Sequence, residues 1–564
     1  MEQVEKYECR PITPAIIDAV LMMAVAGVVG LGVILFLSPP TAWQSDMAVP
    51  VAGLDLWVKI SSVGMQQAFT QDDLWREIAP RLAACAIAMA VSARLAYQAR
   101  LRVTPIVDRR EHCAGNQLLR GTLATKAANS VTAREAQRGE PSITFAPGAR
   151  LAREREVRNV LVCGAIGSGK TRIIMFFIER LLERLVYDPK GDHGIFIHDT
   201  TGELYEGLPL PSGSFAALHP HRPGGYAWHM GADLVEDSDC ETAADQAIAR
   251  TDDAVWGKGG STMYAGCMIT AKAEHGTEWG APELYEICLR DPAALKDAFE
   301  RYYPAAAKLI EFDSNGELSK TTIGFLLTFR ASILRALRPL AVAWADTPQR
   351  RLFSFAAWVA GTRPEQPKVV VVQRSGRHPD ISANWIGMVM ETITSAVGDP
   401  RFPNSLSRTR SFVLDEAPAL RRLRRWDELL DTGRNRGVAT YAAIQDWAQF
   451  RRLYRDHADS IFERFATKII CAQSHGPESQ RLAEKEIGKR EIYDAEVTNT
   501  VQRGPNGRTE TAATTKRSKD VLIVRPEHLV QRLGIFDRKV RALVVGFGNV
   551  LELEWPIMTW IKRR

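Results

Sequence analysis

The spacing of apolar residues divides the chain into three styles of segment. The first is continuous: Ala15 to Leu37 is apolar except for small residues, with Asp18 as its only charge, and it is long enough to span a bilayer as a helix. A second stretch, Ile78 to Tyr97, has its apolar centre at Leu82 to Ala93 and is bracketed by Arg81 and Arg94. Those arginines can snorkel to the two interfaces, although the stretch also fits a buried soluble helix. From Asn159 onward the style changes to short apolar runs: 159–163, 194–199, 215–219, 368–373, 409–414, 438–445 and 465–471. Runs of this length without alternation suit strands buried on both faces, and the helical spacing between them predicts a parallel α/β sheet. The third style, from about Glu274 to Trp358, is helical spacing alone. It includes 282–289, 293–303 and the apolar set Ile323, Leu326, Leu327, Ile333, Leu334, Leu337 and Leu340, and it predicts an all-helical insert. Further helices are expected over 383–397 and 478–487. The polar, basic stretch Gln502 to Lys519 has no apolar period and predicts a surface loop.

Charge sets the orientation of the first segment. Between the two apolar stretches, residues 38–77 carry only Lys59 and Arg76, whereas Arg100, Arg102, Arg109, Arg110, Arg120 and Lys126 follow the second. The positive-inside rule then places both termini in the cytoplasm and 38–77 outside, with Trp43, Trp57 and Trp75 as interface anchors or a contact surface. The residues before Ala15 mix Glu2, Glu5 and Glu8 with Lys6 and Arg10, unlike the positive start of a cleaved signal peptide. The net charge of +6 over 564 residues is too small to imply a generally basic surface, so nucleic-acid contacts must come from local clusters such as Arg421–Arg425 or 502–519. The eight cysteines are scattered with no C-x-x-C pair, which argues against a zinc site.

The candidate chemistry begins where the first buried run ends. Gly164-Ala165-Ile166-Gly167-Ser168-Gly169-Lys170-Thr171 follows G-x-x-x-x-G-K-T, between an apolar strand and an apolar-striped helix. Glycines let backbone N–H groups turn toward phosphate oxygens, Lys170 reaches the β/γ-phosphates, and the Thr171 hydroxyl ligates Mg2+. Phe412-Val-Leu-Asp415-Glu416 is an apolar strand that delivers two carboxylates. Asp415 suits Mg2+ and Glu416 suits activation of the attacking water. Gln445 ends a later strand, where it can sense the γ-phosphate or orient water. Arg434 and Arg436 lie before that strand, each either an arginine finger for a neighbouring subunit or an ordinary surface charge. ATP and Mg2+ are the expected ligands.

The order of a hydrophobic hairpin, GAIGSGKT, a strand with Asp-x-x-Gly-Glu, a helical insert, VLDEAPAL, TGRNRG and IQDWAQF resembles the type IV coupling proteins, the TraD/TrwB family of conjugation ATPases. The resemblance covers nearly the whole chain. It implies an α/β, RecA-like P-loop NTPase core with an all-helical insert, preceded by a two-helix transmembrane hairpin. The corresponding divisions are an anchor at 1–100, a lead-in at 101–157, a core at 158–273 and 359–564, and an insert at 274–358. The same resemblance implies a homo-hexameric ring at the bacterial inner membrane. That ring passes single-stranded DNA, with its relaxase, to a type IV secretion channel, with Lys170 and Thr171 in the P-loop roles, Asp415 and Glu416 in the Walker B roles, Arg434 as the trans arginine and Gln445 as the sensor. Family members often carry a longer acidic tail, whereas this sequence ends on Lys562-Arg-Arg564. Two other readings stay open: a coupling receptor for protein cargo alone, and an FtsK-like translocase of double-stranded DNA, which two spans and no appended DNA-reading domain disfavour. An ABC-type ATPase is disfavoured because no LSGGQ-like signature lies between the two motifs.

Overall fold

The computed structural model describes residues 12–32, 72–101, 111–136, 143–219, 225–248, 254–405, 407–445, 447–504 and 507–563. The chain forms two compact units, one of residues 1–111 with 494–516 and one of 112–493 with 517–564.

In the first unit α1 (Ile12–Gly32) packs against α2 (Asp72–Leu101). Small residues permit the approach: Gly27 faces the Met89 side chain, and Gly30 faces Cys85. The outward surfaces stay apolar, with Val28, Val29, Ile87 and Leu95 all more than half exposed. Residues Ala79–Gln98 of α2 are long and apolar enough to cross a bilayer. The helix runs longer than its sequence pattern, so 72–77, expected in the outer loop, are helical. Residues 33–37 of the first predicted span and 38–71 of that loop lie outside the described residues.

In the second unit the main sheet begins with β1 (Leu118–Arg120), which runs into α3 (Gly121–Glu135), followed by β2 (Val160–Cys163), α4 (Lys170–Tyr187), β3 (His193–Asp199) and β4 (Ala216–Leu218). Helices α5 (Asp237–Ala247), α6 (Ala254–His275), α7 (Ala281–Leu289), α8 (Pro292–Tyr302) and α9 (Lys320–Trp344) come next. The sheet resumes with β5 (Val369–Gln373), then α10 (Pro379–Gly398), β6 (Thr409–Leu414), α11 (Trp426–Asn435), β7 (Val438–Ile444) and β8 (Thr467–Ile470). Strands β9 (Lys489–Gly504) and β10 (Gly507–Leu522), whose residues 494–516 belong to the first unit, pair with one another, and β11 (Gly534–Phe536), β12 (Lys539–Phe547) and β13 (Asn549–Pro556) close the chain. The predicted loop at 502–519 is therefore mostly strand. Its threonines favour extended backbone without an apolar face to betray it.

Eleven strands form the main sheet in the order β1-β13-β12-β8-β2-β7-β6-β3-β5-β4, with β11 on β12. From β8 to β4 all neighbours are parallel, and β12 and β13 add an antiparallel flank. Successive residues of the parallel strands serve two cores. Val160, Val162, Ile195, Ile197 and Val413 face α4, whereas Leu161, Phe196, Val370, Val372 and Phe412 face the helical layer. Burial on both sides is why these strands read as unbroken apolar runs.

The helical layer begins at Asp237, ahead of the boundary at 274 that the sequence suggests. Glycines within α6 serve as contact points: Gly259, in Trp256-Gly-Lys-Gly-Gly-Ser, lies under Phe325, and a Cβ at Gly266 would sit 2.9 Å from Phe299. The stripe of α9 is also rotated from its expected position. Phe325, Leu326, Phe329, Ile333, Leu337 and Leu340 are buried, whereas Ile323 and Leu327 face outward.

Candidate nucleotide site

Strand β2 sits between β8 and β7, and the chain leaves its end directly into residues 164–169 before α4 begins at Lys170. Three glycines have distinct reasons to be there. A Cβ at Gly164 would fall 2.7 Å from both Cys471 Cβ and Ser168 Oγ; Gly167 and Gly169 adopt φ of +74° and +95°, and Gly169 lies against Val540. The loop is pinned by Gly164 N–H donating to Ile444 O (3.2 Å) and Ala165 N–H to Ala472 O (2.7 Å). Ile166 at its tip is exposed. Lys170 Nζ donates to Gly164 O and Ala165 O at 2.7 and 2.9 Å, so the cation is held over the loop at the start of an 18-residue helix. Burial lowers its pKa, opposed by the attraction of Glu416. Ser168 Oγ is buried without a partner among the described residues. Backbone turned by glycine, a poised amine, a free hydroxyl and a helix N-terminus together fit a chain of phosphates.

The acidic side comes from β6. Asp415 accepts from Thr200 Oγ1 at 2.7 Å, and burial, reinforced by Asp199 and Glu203, pushes its pKa up to about 6. Glu416 is pushed up to about 7, chiefly by burial, which is where a general base for water is best placed. Its Oε1 accepts the Gln445 N–H at 3.3 Å. Because β7 lies between β2 and β6, Gln445 emerges between the phosphate loop and the carboxylates, with its residue exposed; Asp446 lies outside the described residues. Among the described residues no cluster of three His, Cys, Asp or Glu forms a metal cage. A site with Thr171 at the start of α4 and Asp415 opposite instead suits Mg2+, which binds through one or two protein oxygens and completes its shell with water and substrate phosphate.

Several contributors escaped the sequence. Asp199, at the end of β3, accepts from Thr201, Gly202 and Tyr205 N–H groups at 3.2, 2.8 and 2.8 Å, which shapes the turn that presents Thr200. Arg374, just after β5, donates its backbone N–H to Asp199 O at 2.8 Å; its charge acts on Glu416, and its Nε is buried without a partner among the described residues. An isolated Arg in the sequence gave no signal for this. The two remaining predicted arginines lie at the other edge of the sheet. Arg434 lies in the last turn of α11, exposed in a hollow of ≈ 330 Å³ lined by Glu135, Glu154, Val157, Arg158 and Asn435. Arg436 is engaged in its own chain, donating to the carbonyls of Val397 and Asp399. In Arg421–Arg425, Arg424 pairs with Asp245 (3.0 Å) and Arg425 with Glu428 (2.6 Å) and Glu391 (3.4 Å).

The family model for the type IV secretion-system coupling protein DNA-binding domain matches residues 142–545. The coupling protein TraD of Escherichia coli (strain K12) is 22% identical over 353 residues, 61% of this chain and 46% of TraD, so the chain spans about half the length of that curated relative. Among solved structures, the unbound monoclinic form of the bacterial conjugative coupling protein TrwBdeltaN70 superposes with a TM-score of 0.61 at 17% identity, covering 81% of this chain and 96% of that one. The plasmid coupling protein TrwB in complex with ADP and Mg2+ does so with a TM-score of 0.59 at 16% identity, covering 82% and 97%. These likenesses show that the chain shares the fold of TrwB. Since the family match takes in well over half of the chain, including the phosphate loop and both strand-end carboxylates, the chain belongs to the type IV secretion-system coupling proteins.

Proposed function

We propose that this chain is a membrane-anchored ATPase that couples ATP hydrolysis to the transfer of single-stranded DNA, with bound relaxase, to a type IV secretion channel. In this reading it works as a homo-hexameric ring at the bacterial inner membrane, with α1 and α2 as a two-pass anchor and both termini cytoplasmic. The observation that carries the reading is the meeting of Lys170 with Asp415 and Glu416 at one sheet edge, within a family match that spans the site. The complex of TrwB with ADP and Mg2+ supports the choice of ligands.

The residues divide the work by chemistry. Residues 164–169 cradle the β/γ-phosphates with backbone N–H groups, and Lys170 neutralises their charge. Thr171 and Asp415 hold Mg2+, which supplies Lewis-acid stabilisation of the phosphoryl oxygens. Glu416 takes the proton of the attacking water, and Gln445 orients that water. Arg434 serves a neighbouring subunit's site, because it is exposed and stands across the sheet from its own.

The test is ATP hydrolysis by the full chain in nanodiscs with no DNA, single-stranded DNA or duplex DNA. Stimulation by single strands is expected. Stimulation by a relaxase alone would favour a receptor for protein cargo, and stimulation by duplex alone an FtsK-like translocase.

A further inference from the structure

Beyond the nucleotide site, two loops that leave it meet the helical layer around a second hollow. One loop continues from Arg374 to the start of α10, and the other continues from Glu416 through a short turn (Ala417–Leu420) to Arg421. Together with α9 they enclose ≈ 240 Å³ lined by Arg335, Arg377, His378, Asp380, Asn384 and Arg421, among others. Arg335 and Arg377 are exposed and have no ion pair among the described residues. Among the described residues Asp380 is the one acidic residue in the lining, and it pairs with Arg421, with both side chains exposed, 79% and 48%. An exposed pair of this kind is weak, so a phosphodiester oxyanion in the hollow can take Arg421 over. The start of α10, a 20-residue helix, adds its positive dipole end to the same hollow.

We propose that this hollow holds a backbone phosphate of the nucleic-acid strand that the chain moves, with Arg335, Arg377 and Arg421 as its ligands. The inference rests on the function proposed above and assigns that function a contact point. Among the described residues, three guanidiniums against one carboxylate leave the hollow with net positive charge, which suits the singly charged phosphodiesters of a strand. The absence of Phe, Tyr and Trp from the lining among the described residues favours phosphate over a stacked base. The location also explains how a strand would influence hydrolysis. Occupancy at Arg377 and Arg421 pulls on the two loops whose other ends carry Arg374 and Glu416, and Arg374 already feels both Glu416 and the Asp380–Arg421 pair.

The test measures binding of a fluorescent thymidine oligonucleotide to the full chain in nanodiscs across a range of salt. The double variant R335A/R377A is expected to bind more weakly. Its plot of log affinity against log salt should flatten by about 0.7 for each phosphate that the variant no longer neutralises, as for single strands. R335K/R377K should keep the slope, since a phosphate accepts a point charge. Lys190→Ala, an exposed cation before β3 at the opposite sheet edge, should leave it unchanged. The site is overturned if the double alanine variant keeps the wild-type slope, if Lys190→Ala flattens it equally, or if the lysine pair behaves like the alanine pair. Displacement of the oligonucleotide by inorganic phosphate at matched ionic strength would instead make the hollow a free-phosphate site and would also overturn it. A wild-type chain that binds no oligonucleotide at all removes the proposed function with it. A binding wild type with an equally binding double variant removes this site alone.

Discussion

Lys170 and Glu416 attract one another across the site, yet each makes a different contribution, and their removal separates binding from chemistry. Lys170→Ala deletes the amine that sits over the loop and leaves Gly164 O and Ala165 O without their donor. Nucleotide affinity and turnover should fall together, as a fluorescent nucleotide titration and a phosphate-release assay would show. Glu416→Gln keeps the shape of the side chain, its acceptor for the Gln445 N–H and the Asp415–Thr200 pair. It should bind ATP with near wild-type affinity while turnover falls by about 10²-fold or more, the loss expected of a missing general base. Equal loss of affinity in both variants would show that Glu416 holds ligand and does not activate water. At this scale the sequence was readable wherever a motif fixes spacing: 164–171 joins a strand to a helix, and Asp415 and Glu416 follow a strand of the same sheet. It assigned no role to Thr200, Asp199 or Arg374, whose roles come from strand order: β3 lies beside β6 and β5 on the far side of β3, although β3 is far from β6 along the chain.

The elements are tied together at the opposite edge by a buried ionic cluster. Glu156 is fully buried and accepts from Arg184 at the end of α4 (3.0 and 2.8 Å) and from the Tyr441 hydroxyl of β7 (2.7 Å), while Arg153 stands 3.0 Å away. Burial alone would raise its pKa, but Arg184 and Arg153 outweigh burial and hold it far below the usual 4.5. The folded protein therefore binds fewer protons at this site than the unfolded chain. Its contribution to stability is complete above 4.5 and is lost as pH falls below that value. Thermal melts of the full chain should show the wild type losing stability below about pH 4.5 with a slope that Glu156→Gln lacks. At neutral pH that variant should be less stable by about 3–5 kcal/mol, the cost of stranding buried arginines. A variant with the same acid slope as the wild type would assign the acid sensitivity elsewhere. The stretch Arg153-Glu-Arg-Glu156 reads as a polar lead-in because charge in a sequence signals exposure, and its partners are 28 and 285 positions away. Strands were legible for the opposite reason: double burial writes itself as an apolar run. The start of the helical layer was hidden because α6 uses glycine for close packing under Phe325 and Phe299, and glycine in isolation signals a break.

For the whole molecule, the decisive geometry is the separation of Arg434 from the site it is proposed to serve. In the parallel part of the sheet every phosphate and carboxylate contributor follows a strand end, whereas Arg434 precedes β7 and sits with Arg158, the residue before Asn159 and β2. Within one chain the sheet itself stands between Arg434 and the phosphate loop. A second copy can bring the two together only by docking the Arg434 edge of one subunit on the Lys170 edge of the next. That contact is head-to-tail, and it closes into a ring if the rotation permits. Arg436 cannot substitute without giving up the carbonyls of Val397 and Asp399. Mixing Arg434→Ala chains, which retain Lys170, with Lys170→Ala chains, which retain Arg434, tests the arrangement. Each preparation alone should be inactive. In a randomly mixed ring at equal ratio roughly a quarter of sites would pair an intact phosphate loop with an intact neighbouring arginine, so hydrolysis should reappear and peak near that ratio. If co-assembly is demonstrated by cross-linking and no activity returns at any ratio, Arg434 does not act in trans, and either an arginine of the site's own subunit or none serves the reaction. Arg374, whose charge acts on Glu416 and whose Nε has no partner among the described residues, is then the residue of its own subunit to test against the transferred phosphoryl group.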